Sequence, residues 1–265
     1  MATYVCSDIH GHYTKWKRML KKIKFTKDDT MYILGDVIDR GPEPILLLQD
    51  ILSRPNCILL MGNHEKMMLD FYKAKSRPDI VKTFSLWAQN GGEITLEQFE
   101  ALPQLEQETI LTKLENLPVA IIGLEVDRAL KDGRVIPKQY YLVHASPGKA
   151  FYAPPCTLTL NNTIEAQHLL WDRSFYTNGT LELSIPQQSF YNNFTVINGH
   201  TPTPNVVYKK SIVNNKFSSH TFPKNKAGRI LHSHKGHAIN VDCGIFYNQS
   251  TVGCLRLDDW AEFYI

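Results

Sequence analysis

No apolar run in these 265 residues is long enough to cross a bilayer, and the chain opens on a strand-like segment rather than a charged and apolar leader. Both absences predict a soluble, cytoplasmic protein. Cysteine is scarce. Cys6, Cys57, Cys156, Cys243 and Cys254 are odd in number, and no pair has zinc or redox spacing. Small thiols are expected, with Cys6 and Cys57 in the core. The chain has no internal repeat and no low-complexity tract. A net charge of +3 is too small to imply nucleic-acid binding. One stretch lacks acid altogether. Residues 205–237 hold seven Lys or Arg and no Asp or Glu, so against a total of +3 the rest carries −4. That divides an acidic body from one basic excursion. The length suits a single domain over 1–265.

What is present centres on Gly35-Asp36-Val37-Ile38-Asp39-Arg40-Gly41, directly after the apolar run Met31–Leu34. Two carboxylates and a guanidinium crowd into one turn behind a buried strand. Such charge is costly unless a metal or substrate compensates it. The functional reading is a metal ligand (Asp36), an orienting carboxylate (Asp39) and an anion clamp (Arg40). The plain alternative is a surface turn with an Asp–Arg pair.

Around this turn the pattern is strand, helix, strand, helix, strand. Ala2–Cys6 reads as a strand. Trp16, Met19, Leu20 and Ile23 recur at helical spacing after Thr14, a suitable N-cap. Pro42 and Pro44 open a second helix with Ile45, Leu48, Ile51 and Leu52 inward. Cys57–Met61 is a third strand. This order predicts parallel βαβ units. Residues from about 65 to 118 read as a helical side lobe on the same core, with a turn at Gly91-Gly92. Val119–Val126 and Gln139–Val143 read as strands, residues 147–162 as irregular, and Ile164–Leu170 as a short helix. Phe194–Ile197 is another strand. Ile239–Val241 and Gly253–Leu257 read as closing strands of a second sheet.

Five apolar runs end in polar signatures: Asp8 and His10; Asp36; Asn63 and His64; His144; His200. Strand ends of open α/β sheets form the ligand crevice, so these residues are expected to converge. The set offers carboxylates, imidazoles and an amide oxygen but no thiolate, which favours Mn, Fe or Zn ions over a structural zinc cage. Asp8, His10 and Asp36 could hold one ion. Asp36, Asn63, His144 and His200 could hold a second, with Asp36 shared. Two such ions would activate a water for in-line displacement. His64, beside Asn63 and oriented by Asp39, suits a general acid. Arg40 and Arg173 suit forked contacts to phosphoryl oxygens. Arg173 could instead pair with Asp172 at the surface.

These residues carry a resemblance. Asp8-Ile9-His10-Gly11, Gly35–Gly41 and Gly62-Asn63-His64-Glu65 resemble the three signatures of the calcineurin-like metallophosphoesterases. The Asp39-Arg40-Gly41 ending is similar to PPP-type serine/threonine phosphatases. Leu142–Ala145 and Gly199–Pro202 match the later ligand histidines. Trp171-Asp172-Arg173 and the Trp87–Gly92 stretch resemble the bacterial and bacteriophage members, lambda phosphatase among them. The resemblance runs from residue 2 to about 245. It implies an α/β sandwich of two sheets flanked by helices, two divalent ions (most often Mn2+, with Fe, Zn or Ni possible), and metal ligands Asp8, His10, Asp36, Asn63, His144 and His200. It also implies phosphate contacts from Arg40, Arg173 and Asn63, and a catalytic His64–Asp39 pair. Ser7, Ser146 and Cys243 depart from the family pattern, and none is expected to touch a ligand.

The function expected is hydrolysis of phosphoserine or phosphothreonine in proteins by direct attack of a hydroxide held between two metals. One alternative is a symmetrical diadenosine tetraphosphatase or other nucleotide pyrophosphohydrolase, with Phe151, Tyr152 and Phe175 serving the bases. A remote one is a non-catalytic phosphate-binding protein, against which the complete ligand set argues. The expected partner is a phosphoprotein or phosphopeptide. The excursion at 205–237 is either a docking arm for a polyanion or a solvated hairpin, and His232, His234 and His237 are a weak candidate metal cluster. Neither a membrane nor, firmly, a nucleic acid is implied.

Overall fold

The computed structural model describes residues 1–75, 77–148, 155–173, 175, 194–205, 208–209, 219–220, 228–233, 236–246 and 250–265. The first apolar run forms β1 (Thr3–Cys6). Helix α1 (Tyr13–Lys22) turns Trp16, Met19 and Leu20 inward. It starts earlier than a Thr14 cap would allow. His12 stands at the N-cap, and the Thr14 hydroxyl donates to Glu43 instead (3.3 Å). β2 (Thr30–Ile33), α2 (Pro44–Ser53) and β3 (Cys57–Leu59) repeat the unit, and β1, β2 and β3 pair in parallel. Parallel neighbours need such crossovers, which is why the alternation of periods was informative.

Helices α3 (Asn63–Ala74), α4 (Ile80–Gln89), α5 (Glu93–Glu100) and α6 (Gln104–Glu115) follow. Their Trp87, Phe99, Ile110 and Leu114 are buried in the same apolar cluster as Trp16, Met31 and Ile33. The helices therefore share a core with the first sheet. β4 (Pro118–Ala129) and β5 (Val135–Val143) form an antiparallel hairpin. β6 (Cys156–Thr159) pairs with β4 within the stretch whose sequence reads as irregular. Its prolines mask a strand specified by a partner some forty residues away. Then come α7 (Ala166–Trp171), β7 (Phe194–Asn198), a 3-10 turn at Thr203–Asn205, and the two-stranded pair β8 (Tyr208–Lys209) and β9 (Ser219–His220). β10 (Leu231–Ser233), β11 (Ala238–Asn240), β12 (Gly253–Arg256) and β13 (Glu262–Tyr264) close the chain's order.

The sheets run β13-β12-β1-β2-β3 and β10-β11-β7-β5-β4-β6. One expectation is corrected here. β12 belongs to the first sheet, not the second: it pairs antiparallel with β1, Cys254 opposite Cys6. β1 would otherwise expose a row of unpaired backbone groups, and the returning chain covers that edge. Period-two alternation then builds the sandwich. Val5, Leu34 and Leu60 face Tyr140, Leu142 and Ile197 of the second sheet in one cluster. Their neighbours Cys6, Ile33 and Leu59 face the helices.

All five cysteines are free thiols. Among the described residues no helix is long and apolar enough to cross a membrane. Of the basic excursion, Lys210, Lys216, Lys224, Lys226, His234 and Lys235 lie outside the described residues, as do Phe151 and Tyr152. Arg229 stacks over Tyr264 (4.7 Å), and His232 meets Glu262 (2.7 Å). The candidate cluster of His232, His234 and His237 includes His234, which lies outside the described residues; among the described residues the two groups able to share an ion contain neither His232 nor His237. Phe175 is buried in the apolar core rather than offered to a base.

If the helices and sheets are one cooperative unit, Phe99→Ala should cost about 3–5 kcal/mol. In urea followed by both fluorescence and circular dichroism, its midpoint should fall as one transition. Two separated transitions would show the helices to be an independent domain.

Candidate active site

The parallel strands of both sheets leave by the same edge of the sandwich. β1 runs into Asp8 and His10, β2 into Asp36, β3 into Asn63 and His64, β5 into His144, and β7 into His200. A cleft of about 430 Å3 opens there, with Asp8, His10, Asp36, Asn63, His64 and His200 in its lining. Arg40 and Arg173 also line it. His144 is wholly buried behind Asp36, with its Nε2 3.4 Å from Asp36 Oδ1.

Turning these side chains inward strains the backbone. Asp8, His10, Asp36, Asp39, Arg40 and His200 all have φ between 44° and 69°. Left-handed backbone at non-glycine residues costs of order 1–3 kcal/mol each and persists only where surroundings over-determine it. Glu65 is one such constraint. Its buried carboxylate accepts N–H bonds from Gly62, Asp36 and Val37, each 2.9 Å. Gly62 is needed because a Cβ there would run into Asp36.

Three imidazoles have their tautomers set by backbone carbonyls. His10 Nδ1 donates to Ile38 O (2.9 Å), His144 Nδ1 to Leu34 O (2.6 Å), and His200 Nε2 to Trp171 O (3.2 Å). The remaining nitrogen of each therefore turns a lone pair into the site. His144 Nε2 faces Asn63 Oδ1 at 2.9 Å and His200 Nδ1 at 3.2 Å. His10 Nε2 lies 3.8 Å from Asp36 Oδ2. Lone pairs and carboxylates facing one another are mutually repulsive unless a cation lies among them. Burial and the neighbouring Asp8 and Glu65 push the Asp36 carboxyl well up, and burial, with His64 and Arg40 alongside, pushes His10 well down. The donor set thus fits divalent cations. Asp36, His144 and His200 bring one ligand atom each within 4.8 Å of one another, and so do His10, Asp36 and His64. Asp36 is common to both groups.

Two placements differ from the expected pattern. Asp8 lies in the cleft, but its carboxylate is not in either convergent group; it accepts the His200 N–H (3.0 Å). His64 Nε2 instead approaches Asp36 Oδ2 at 3.7 Å. Ser7 does touch a proposed ligand: its hydroxyl donates to Asp8. A glycine there could not.

His64 Nδ1 donates to Asp39 Oδ2 (2.6 Å). Asp39 is wholly buried, and burial pushes its carboxyl up to about 7 against the hydrogen bonds of Thr95 and Trp87. Arg40 reaches from the next position, Nη2 donating to His64 Nε2 (2.9 Å) and Nη1 to His10 Nε2 (3.2 Å). Burial and this guanidinium hold His64 well below the usual imidazole range. Arg173 Nη1 donates to His200 O (3.1 Å), which anchors it at the cleft.

Sequence reasoning missed several members of the site. Asp242 is buried in the cleft wall at the end of β11, which runs parallel to β7. It ends an apolar run just as the other five signatures do, so the same rule could have found it. Phe246 is half-exposed, packs on the rings of His10 (5.2 Å) and His12 (5.5 Å), and lies 5.4 Å from the Arg40 guanidinium. No local signal marks it.

The sequence profile described as calcineurin-like phosphoesterase matches residues 1–239. The symmetrical bis(5'-nucleosyl)-tetraphosphatase of Salmonella typhimurium is 37% identical over 79 residues, 29% of this chain and 28% of that relative. The match therefore spans little more than a quarter of the curated relatives' length. A metallophosphoesterase from Sphaerobacter thermophilus superposes with a TM-score of 0.55 at 17% identity, covering 100% of this chain and 86% of that one. A Saccharomyces cerevisiae serine/threonine phosphatase with similarity to human phosphatase PP5 gives 0.53 at 16%, covering 100% and 79%. Both likenesses are of fold.

Chelator-treated protein should gain stability on adding Mn2+, by about 4 kcal/mol at a thousandfold excess over Kd. Asp36→Asn should abolish most of that gain in a thermal-shift titration. A variant that binds two ions as tightly as the parent would remove Asp36 from the shared position.

Proposed function

The chain belongs to the calcineurin-like phosphoesterases, and from that premise we propose that it is a metal-dependent phosphoprotein phosphatase acting on phosphoserine and phosphothreonine. Asp8, His10, Asp36, Asn63, His144 and His200 are the proposed ligands of two divalent ions, Mn2+ first among them because the donors are oxygen and imidazole without thiolate. When bound, such ions supply Lewis acidity, lowering the pKa of coordinated water and neutralising phosphoryl charge.

The chain's own groups do the rest. Arg40, Arg173 and the Asn63 amide would hold the phosphoryl oxygens, the arginines through forked donors. The observation that carries the choice of a monoester is the His64–Asp39 pair, 2.6 Å apart and buried at the cleft floor. A seryl or threonyl alkoxide is a poor leaving group and needs a proton; a nucleotide phosphate leaves without one. As the water oxygen forms the new P–O bond, the ester P–O bond breaks with its electron pair on the alkoxide. That oxygen takes the proton from His64 Nε2, and Asp39 steadies the imidazolium beforehand. In the structure Arg40 donates to His64 Nε2. A phosphate dianion that draws this guanidinium to itself replaces positive by negative charge beside His64, which favours the protonated acid.

A second reading, hydrolysis of symmetrical dinucleoside tetraphosphates, is supported by the 37% identical segment and by Phe246, an aromatic face on which a base could stack. Polyanion docking by 205–237 remains part of the proposal on charge alone.

The test compares a phosphothreonine peptide, p-nitrophenyl phosphate and diadenosine tetraphosphate with the Mn2+-loaded enzyme. We expect peptide turnover that falls by about 10²–10⁴ in His64→Ala, the usual worth of general acid–base catalysis. Preference for the dinucleotide by kcat/KM would replace the first reading with the second.

A further inference from the structure

The Trp87–Gly92 stretch resembles a subgroup signature; Asn90 in it lines the cleft, while Trp87, and Thr95 just beyond the stretch, are buried away from the cleft. Its position in the fold gives it work. Trp87, at the end of α4, donates its indole N–H to Asp39 Oδ2 (2.9 Å), with Oδ1 at 3.1 Å. Thr95, in the first turn of α5, donates its hydroxyl to Asp39 Oδ1 (2.6 Å) and accepts the Asp39 backbone N–H (2.9 Å). Both residues are wholly buried. The turn between them reaches the neighbouring residue: Gly91 O accepts the Arg40 N–H (3.0 Å), and Asn90 O accepts Arg40 Nε (3.2 Å). Its glycines are required by close approach. A Cβ at Gly92 would run into the Trp87 indole, and one at Gly91 would lie 2.7 Å from Arg40 Cγ.

We propose that Trp87 and Thr95 are positioning residues for leaving-group protonation, acting through Asp39 on His64. An aspartate with only His64 as partner could rotate about its Cα–Cβ and Cβ–Cγ bonds. With the indole and hydroxyl holding both oxygens, one lone pair is left aimed at His64 Nδ1, which fixes the ring so that Nε2 faces the cleft. Asp39 has left-handed backbone (φ 69°), so its direction comes from these tertiary donors rather than from a regular element. The inference rests on the phosphomonoesterase reading above.

Because the action runs through a proton donor, its loss is felt in proportion to the leaving group's need for a proton. Folded, Mn2+-loaded Thr95→Val and Trp87→Phe should lose about tenfold or more in kcat on the phosphothreonine peptide, a fraction of the 10²–10⁴ available to general acid catalysis. On p-nitrophenyl phosphate, whose leaving group departs unprotonated, the same variants should lose less than about threefold. Thr95→Ser keeps the hydroxyl and should restore peptide turnover. Thr95→Val added to His64→Ala should cost nothing further, since both remove one pathway. Equal losses on the two esters, or full additivity with His64→Ala, would overturn the inference and leave these residues structural while the phosphatase reading stands. A parent enzyme inactive on both esters would overturn that reading and this one together.

Discussion

The site depends on one carboxylate that never reaches the cleft. Glu65, at the start of α3, gathers the N–H groups of Gly62, Asp36 and Val37 around its two oxygens. Hydrogen bonds to a charged acceptor contribute about 1.5–3 kcal/mol each. That is the magnitude needed to hold Asp36 and its neighbours in left-handed backbone against strain of the same order. The same residue ties the end of β3 to the end of β2, so two ligand-bearing turns move as one. Its cost is a second buried carboxylate close to Asp36: burial, with Asp8 and Glu65 beside it, pushes the Asp36 carboxyl well up, and burial, with Asp39 nearby, pushes the Glu65 carboxyl up.

Orientation of the imidazoles follows a similar logic. The carbonyls of Ile38, Leu34 and Trp171 each take one ring proton, and so decide which nitrogen is offered inward. These acceptors come from the turn after β2, the end of β2 and the end of α7. The chemistry of a ligand is therefore set by backbone that belongs to other elements. Arg40 is treated the same way, its chain run along Gly91 and its head directed to His10 and His64.

Why the site lies where it does follows from topology. β1, β2 and β3 are parallel in one sheet, and β5, β7 and β11 are parallel in the other. When two such sheets stack, the carboxyl ends of six strands can open on one edge. The apolar cluster between the sheets, with Val5, Leu34, Leu142 and Ile197, holds those ends at a fixed separation. Loops placed on rigid elements can then converge with the precision that metal ligation requires.

Much of this was legible in the chain. Residue periodicity locates β1 to β3 with their helices, and the polar endings alone mark Asp8, His10, Asp36, Asn63, His64, His144 and His200. Local pattern suffices there because each ligand directly follows a buried strand. It failed where a partner decides the outcome. β12 joined the first sheet because β1 had an open edge, β6 formed against β4, and Thr14 left its cap for Glu43. Nothing in the run of letters marks Asp39 as gripped by Trp87 and Thr95, or Phe246 as a wall of the cleft. The sequence by itself determined which chemical groups are available and which strands deliver them, since burial and period are local properties. The tertiary structure alone decided how those groups face one another, because direction comes from hydrogen bonds between residues tens to hundreds of positions apart.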